Sequence, residues 1–305
     1  MQVLYSLDAY IPSSDVTSLT IGNFDGVHVG HLALLEKLCE LGEKRVVLTF
    51  LNHPATLLYQ KKNGCLTSLS HRLLLLEKNG VDTVILLNFT EKFSMQTPEE
   101  FLSIIKKNIP FSHLVLGYDA RIGYQRKGDP SCLLELSQSL HFGLEYLAPV
   151  YKESHLVSSR LIREKIEQGD LHIASQLLGR PFSILSKIEP GEGRGRKLGF
   201  PTANLSVDNL CLPPPGVYIG EVMLKGTLFQ AVANLGRAPT FHKERSLLLE
   251  VHLLNSPLPV EGEIEVIFHK FLRAERAFHS ESLLQQQIAQ DIQYTKNYFS
   301  EMQAV

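Results

Sequence analysis

The sequence lacks a C-x-x-C pair: its four cysteines, Cys39, Cys65, Cys132 and Cys211, are scattered. Neither a structural zinc site nor a disulfide framework is indicated, and a reducing compartment suits such isolated thiols. An excess of one charge is missing as well. Thirty Lys and Arg stand against 32 Asp and Glu, a formal −2 with the signs intermixed, so there is no basic stripe of the kind that non-specific nucleic-acid binding requires. No apolar run is long enough to span a membrane, and residues 1–8 hold no basic region followed by an apolar stretch. Internal repeats and low-complexity tracts are absent too. These absences lead us to expect a soluble, cytoplasmic protein with neither nucleic acid nor membrane as partner and with its oligomeric state open. At 305 residues the chain exceeds the usual size of one hydrophobic core, which predicts two domains.

What is present changes character along the chain. From residue 18 to about 150, apolar runs alternate with amphipathic stretches. Strands are expected at 18–21, 46–50, 83–87 and 113–117, and helices at 32–41, 71–79 and 98–107. Such alternation argues for a parallel sheet covered on both faces, whose ligands bind beyond the carboxyl ends of its strands. Helical patterns at 158–168 and up to Leu178 follow, and Gly179-Arg180-Pro181 is a stop signal that puts the domain boundary at 180–181. Glycine and proline then cluster between Pro190 and Gly216. Alternating runs at 217–222, 229–234, 247–254 and 263–268 predict an antiparallel sheet or barrel, closed by a helix over 281–298 with Leu283, Leu284, Ile288 and Ile292 on its apolar side.

Two segments stand out chemically. The first is Gly22-Asn23-Phe24-Asp25-Gly26-Val27-His28-Val29-Gly30-His31, between a predicted strand and a predicted helix. A helix N-terminus presents unpaired N–H groups and a positive dipole end to phosphate oxygens, and two imidazoles could donate to charge building on phosphorus. Other polar loops of this half could converge on it. His53, after strand 46–50, either contacts a substrate or caps its turn. The loop from Tyr118 to Asp129 carries Asp119 and three cations, and Ser158-Ser159-Arg160-Leu161-Ile162-Arg163 is either an N-cap with surface arginines or a pyrophosphate clamp.

The second segment is Gly191-Glu192-Gly193-Arg194-Gly195-Arg196-Lys197-Leu198-Gly199-Phe200-Pro201-Thr202-Ala203-Asn204. Its glycines let backbone N–H groups approach a polyanion, and Thr202 and Asn204 offer oxygens suited to Mg²⁺. It is neither a Walker loop nor a dinucleotide fingerprint. Glu250 interrupts the apolar run Leu247–Leu253; by alternation it points to solvent, unless that face is a pocket, where it could take a proton from an attacking hydroxyl.

Taken in order, these motifs resemble the bacterial bifunctional riboflavin kinase/FMN adenylyltransferases, or FAD synthetases. The first half matches through Gly22 to His31, His53-Pro54, Gly117-x-Asp119, Gly128-Asp129 and Ser158-Ser159-x-x-Ile162-Arg163. The second matches through Leu178-Gly179-Arg180-Pro181, Gly195 to Asn204, Gly216-Val217-Tyr218, Asn234-Leu235-Gly236-x-x-Pro239-Thr240-Phe241, Leu249-Glu250-Val251-His252 and Phe271-Leu272-Arg273. The resemblance implies an α/β nucleotidyltransferase domain with a Rossmann-like parallel sheet over 1–180. An antiparallel β-barrel domain with a C-terminal helix follows over 181–305.

It further implies two reactions, riboflavin to FMN in the second domain and FMN to FAD in the first, each using ATP with Mg²⁺. His28, His31 and Glu250 would be catalytic. Gly22, Phe24, Asp25, Gly30, Ser158, Ser159 and Arg163 would bind ATP in the first domain, and Gly191, Gly195, Lys197, Pro201 and Thr202 in the second. Thr202 and Asn204 would hold the metal, His53 and Asp119 would contact substrate, and Arg273 would lie in a mobile flap near the flavin. The chain departs from the family at Ala120 and Ile122, where aromatics are common, and at Arg160, commonly Thr. These departures motivate an alternative, a riboflavin kinase with a weak or altered adenylyltransferase half.

Overall fold

The computed structural model describes residues 1–52, 64–191, 193–237, 247–255 and 261–303. The chain divides into two compact units, Met1–Asn63 with Leu69–Ser159 and Gly64–Ser68 with Arg160–Val305.

The first unit contains β1 (Gln2–Leu4), β2 (Thr17–Ile21), α1 (Val29–Leu41), β3 (Lys44–Phe50), α2 (Leu69–Lys78), β4 (Thr83–Leu87), α3 (Glu91–Ser94), α4 (Pro98–Asn108), β5 (His113–Gly117), α5 (Pro130–Ser139), β6 (Gly143–Leu147) and a small hairpin of β7 (Tyr151–Lys152) and β8 (His155–Leu156). Six strands form one sheet in the order β1-β4-β3-β2-β5-β6, parallel throughout. Both faces are buried, which is why these strands read as unbroken apolar runs. Val46 and Leu48 join Leu19, Ile85 and Leu114 in one cluster, while Val47 joins Val84, Leu86 and Val115 in the other. The expected strands are present. The two edge strands were not expected, because β1 is only three residues long and β6 carries Glu145 within its run. Helix starts follow local chemistry: Thr97 and Glu100 form a capping box ahead of Pro98 in α4, and Asp129 caps α5 ahead of Pro130.

Helix α6 (Ser159–Glu167) begins at the last residue of the first unit. The second unit continues with α7 (Leu171–Leu178), β9 (Ser183–Glu189), the single turn α8 (Arg194–Lys197), β10 (Ala203–Ser206), β11 (Gly216–Leu224), β12 (Thr227–Arg237), β13 (Leu247–Leu253), β14 (Glu263–Arg273) and α9 (Glu281–Gln303). Its strands close an antiparallel barrel in the order β10-β13-β12-β11-β14-β9. Residues 160–180, expected on the first side of the division, pack with the barrel unit instead. Arg163 Nε donates to Gly64 O at 2.8 Å, and Cys211 Sγ donates to Arg163 O at 3.7 Å. Gly179 does end α7, in the left-handed region at φ 75°. The Arg180 that follows is structural: burial lowers its pKa to about 10, offset by nearby Glu265, so it stays protonated at neutral pH.

Candidate active sites

In the first unit, His28 is the N-cap of α1 and the two histidines cap one another. The His31 N–H donates to His28 Nδ1 and the His28 N–H donates to His31 Nδ1, both at 3.3 Å. This is a capping box in which imidazole replaces hydroxyl and carboxylate. An Nδ1 that accepts a hydrogen bond carries no proton, so in the neutral rings the proton sits on Nε2. The rings stack with centroids 3.6 Å apart and planes within 13°. Among the described residues the first-turn N–H groups of Val29 and Gly30 have no acceptor, so a ligand at this helix start would meet them beside the two imidazoles. Gly30 belongs here for a steric reason, since a Cβ would sit 3.3 Å from the His28 ring.

Phe24 is fully buried, with its ring centroid 4.9 Å from that of His31, and a Cβ on Gly22 would meet the Phe24 ring at 3.2 Å. The Phe24 side chain therefore packs against the histidine turn. Asp25 is buried, and its carbonyl accepts from Ser159 Oγ at 3.0 Å, which brings the serine pair to the histidine turn. Arg163 lies in the other unit, on Gly64 O. Asp119 is exposed after β5, the strand beside β2, and its carbonyl accepts from Arg126 Nη2 at 3.1 Å. Ile122 is buried in the core and Ala120 packs against it. These two departures thus alter core packing. Arg160 is exposed, and His53 lies outside the described residues.

In the barrel unit, register builds the site. Asn204 on β10 pairs with Glu250 on β13, which pairs with Asn234 on β12, so three polar side chains form a row across three strands. The alternate positions Ala203, Leu205, Ala233, Leu235, Leu249 and Val251 are buried. Alternation does turn Glu250 away from that core. The face it reaches is nevertheless the wall of a cleft of about 980 Å³, covered by the 190–202 segment and α9. Asn234 Nδ2 donates to Glu250 Oε2 at 3.4 Å. Asn234, which the sequence motif contains without a role, is brought beside Glu250 by the strand register.

Two glycines of the covering segment, Gly191 and Gly195, sit where a side chain would collide with its surroundings. A Cβ on Gly191 would lie 1.7 Å from Asn204 Nδ2, and one on Gly195 would lie 2.4 Å from Phe200 O and 3.0 Å from Thr202 Oγ1. The segment is fastened by His252, whose Nδ1 lies 2.8 Å from Pro201 O, and by Gln285 Nε2 donating to Leu198 O at 3.3 Å. Pro201, Thr202 and both arginines of α8 line the cleft; Lys197 is exposed and is not on its wall. Leu284, Ile288 and Ile292 of α9 line it as well. Leu283 does not share that face, being 48 % exposed. Arg273 is the last residue of β14 and a member of the cleft wall, where its guanidinium pairs with Asp291 of α9 at 2.7–3.1 Å. Asn204 Oδ1 is buried and accepts no hydrogen bond among the described residues. With Thr202 lining the same cleft, it fits a Mg²⁺ that takes one or two protein oxygens and the rest from phosphates and water.

Comparison with known proteins finds a family match for each half of the chain. The FAD synthetase family matches residues 11–161 and the riboflavin kinase family residues 178–299. A bifunctional riboflavin kinase/FMN adenylyltransferase from Escherichia coli K12 is 36 % identical over 92 % of this chain and 92 % of its own length. That of Bacillus subtilis is 30 % identical over 93 % of both. A solved structure described as a macrolide-efflux protein from Streptococcus pneumoniae superposes with a TM-score of 0.80 at 27 % identity, covering 94 % of this chain and 98 % of that one. Among the described residues no helix is long and apolar enough to cross a membrane. By relatives at this identity over nearly the whole length, the chain belongs to the bifunctional riboflavin kinase/FMN adenylyltransferase family.

Proposed function

We propose that the barrel unit transfers the γ-phosphoryl group of ATP to the 5′-hydroxyl of riboflavin, and that the parallel-sheet unit transfers the adenylyl group of a second ATP to the resulting FMN, releasing pyrophosphate. The observation that supports this reading is that each unit holds a polar constellation of its own: the reciprocal histidine cap in one, the Asn204-Glu250-Asn234 row on a large cleft in the other. The functional division is drawn at 1–180 and 181–305 by the resemblance, while residues 160–180 cluster structurally with the barrel; the four free cysteines suit the reducing cytoplasm.

In the kinase half, Glu250 accepts the hydroxyl proton as the oxygen attacks, and Asn234 keeps the carboxylate turned into the cleft. Thr202 and Asn204 would hold Mg²⁺, which when bound offsets phosphate charge. The apolar face of α9 offers a wall for the flavin ring, and Gly191 and Gly195 let the covering segment lie close over the nucleotide. In the adenylyltransferase half, the FMN phosphate attacks the α-phosphorus, and Nε2–H of His28 and His31 donates to the charge that develops there. Ser158 and Ser159 receive the departing pyrophosphate, with Arg163, Asp119 and His53 assigned to substrates by the resemblance. Neither step requires a covalent intermediate, because positioning and charge stabilisation supply most of phosphoryl-transfer catalysis.

Incubation with riboflavin and Mg-ATP, followed by chromatographic separation of flavins, should show FMN and then FAD; absence of either product refutes the corresponding half. Two glycine substitutions sharpen the test. Gly191→Ala should lower riboflavin phosphorylation by about tenfold or more, because Asn204 must give way to the new methyl group, while FAD formation from supplied FMN persists. Gly30→Ala should lower FAD formation several-fold by shifting the His28 ring.

A further inference from the structure

The turn that carries the histidine pair is strained. Phe24, Gly26 and Val27 lie in the left-handed region, with φ of 51°, 84° and 37°. Glycine takes such angles freely, whereas a phenylalanine or a β-branched valine holds them at a cost of about 1–3 kcal/mol each. Conformations of this kind persist only where the surroundings over-determine them. The Gly22 N–H donates to Leu48 O at 3.1 Å, and Ser159 Oγ ties Asp25 O. The Asn23 carbonyl accepts two donors, Thr49 Oγ1 at 3.2 Å and Arg72 Nη1 at 2.8 Å.

Arg72 does more than tie one carbonyl. Its Nη2 donates to Phe50 O at 2.7 Å, so one guanidinium on α2 joins the loop after β2 to the last residue of β3. These two strands are parallel neighbours in the sheet. The loop after the first leads to His28 and His31, and the chain after the second leads to His53. We propose that Arg72 is a positioning residue for adenylyl transfer: it holds the strained turn in the one conformation that aims both histidines at the α-phosphorus. The proposal rests on the adenylyltransferase reading of this unit. A planar guanidinium can give two N–H groups to two fixed carbonyls at once, whereas a lysine ammonium at the end of a flexible stem does not reproduce that fork.

The test uses the full chain, with riboflavin phosphorylation as an internal control in the other unit. Arg72→Ala should lower kcat for FAD formation about 10²-fold, leave KM for ATP and FMN within about threefold, and leave the kinase rate unchanged. Arg72→Lys, which keeps charge but not the double bond, should fall between, and guanidinium ion at tens of millimolar should restore part of the Arg72→Ala rate. Should Arg72→Ala fail to fold, Arg72→Lys decides: reduced kcat at unchanged KM supports the proposal, and wild-type kcat overturns it. Full rescue by lysine would reduce Arg72 to a surface charge. A wild-type protein that makes no FAD refutes the adenylyltransferase reading itself, whereas one that does so beside equally active Arg72 variants refutes only the positioning role.

Discussion

Replacement of His28 by alanine is expected to block conversion of FMN to FAD while riboflavin phosphorylation continues at its original rate. The residue does two jobs. As N-cap it satisfies the His31 N–H, and loss of such a cap costs about 1 kcal/mol, which for a unit of this size lowers the melting temperature by about 2–4 °C. As catalyst it supplies an Nε2–H donor to charge that exists only in the transition state. Removal of one such donor costs about 10²–10³ in rate. The loss should be larger here, because the rings stack at 3.6 Å: without the His28 ring, His31 loses that lid and the acceptor for its own N–H, although the backbone N–H of residue 28 still donates to His31 Nδ1. His28→Asn separates the two jobs. Asparagine caps helices well, so stability should return, but it cannot place a donor where Nε2 stood, so FAD formation should stay low. Flavin chromatography with either riboflavin or FMN supplied distinguishes the steps, and equal loss of both activities would defeat the assignment of two sites.

The elements that sequence reading found are those whose signal is local. Apolar runs at β2 to β5 stand out because both faces of a parallel sheet are buried, and the cap residues ahead of α4 and α5 announce their helices. The histidine spacing likewise marks a helix start, though mutual capping and the tautomers it imposes depend on backbone geometry. What stayed hidden depends on distant partners. Arg72 looks like any solvated cation on a helix, and only the fold brings it to Asn23, 49 positions away. Residues 160–180 carry a sound stop signal at Gly179, yet their allegiance is set by Arg163 reaching Gly64, 99 positions away. That Ile122 is buried in the core, with Ala120 packed against it, is likewise set by the fold.

Glu250 shows the same limit from the other side, and its substitution is the second large effect. Alternation along β13 turned the carboxylate away from the barrel core, which in sequence reads as solvent; the 190–202 segment lying over that face makes it a cleft wall. Glu250→Gln preserves size and leaves a carbonyl oxygen to accept from Asn234 Nδ2, so the barrel should fold unchanged. It removes the only property that the mechanism requires, the capacity to take the hydroxyl proton. Riboflavin phosphorylation should therefore fall by about 10²- to 10⁴-fold, with FAD formation from supplied FMN intact. Glu250→Asp keeps the charge but withdraws it by one methylene, and a displacement of that size should still cost about 10²-fold. Placement and basicity are thereby distinguished: a kinase rate in Glu250→Gln within about tenfold of wild type would leave Glu250 a mere neighbour of the reaction, while loss in both variants assigns it the proton.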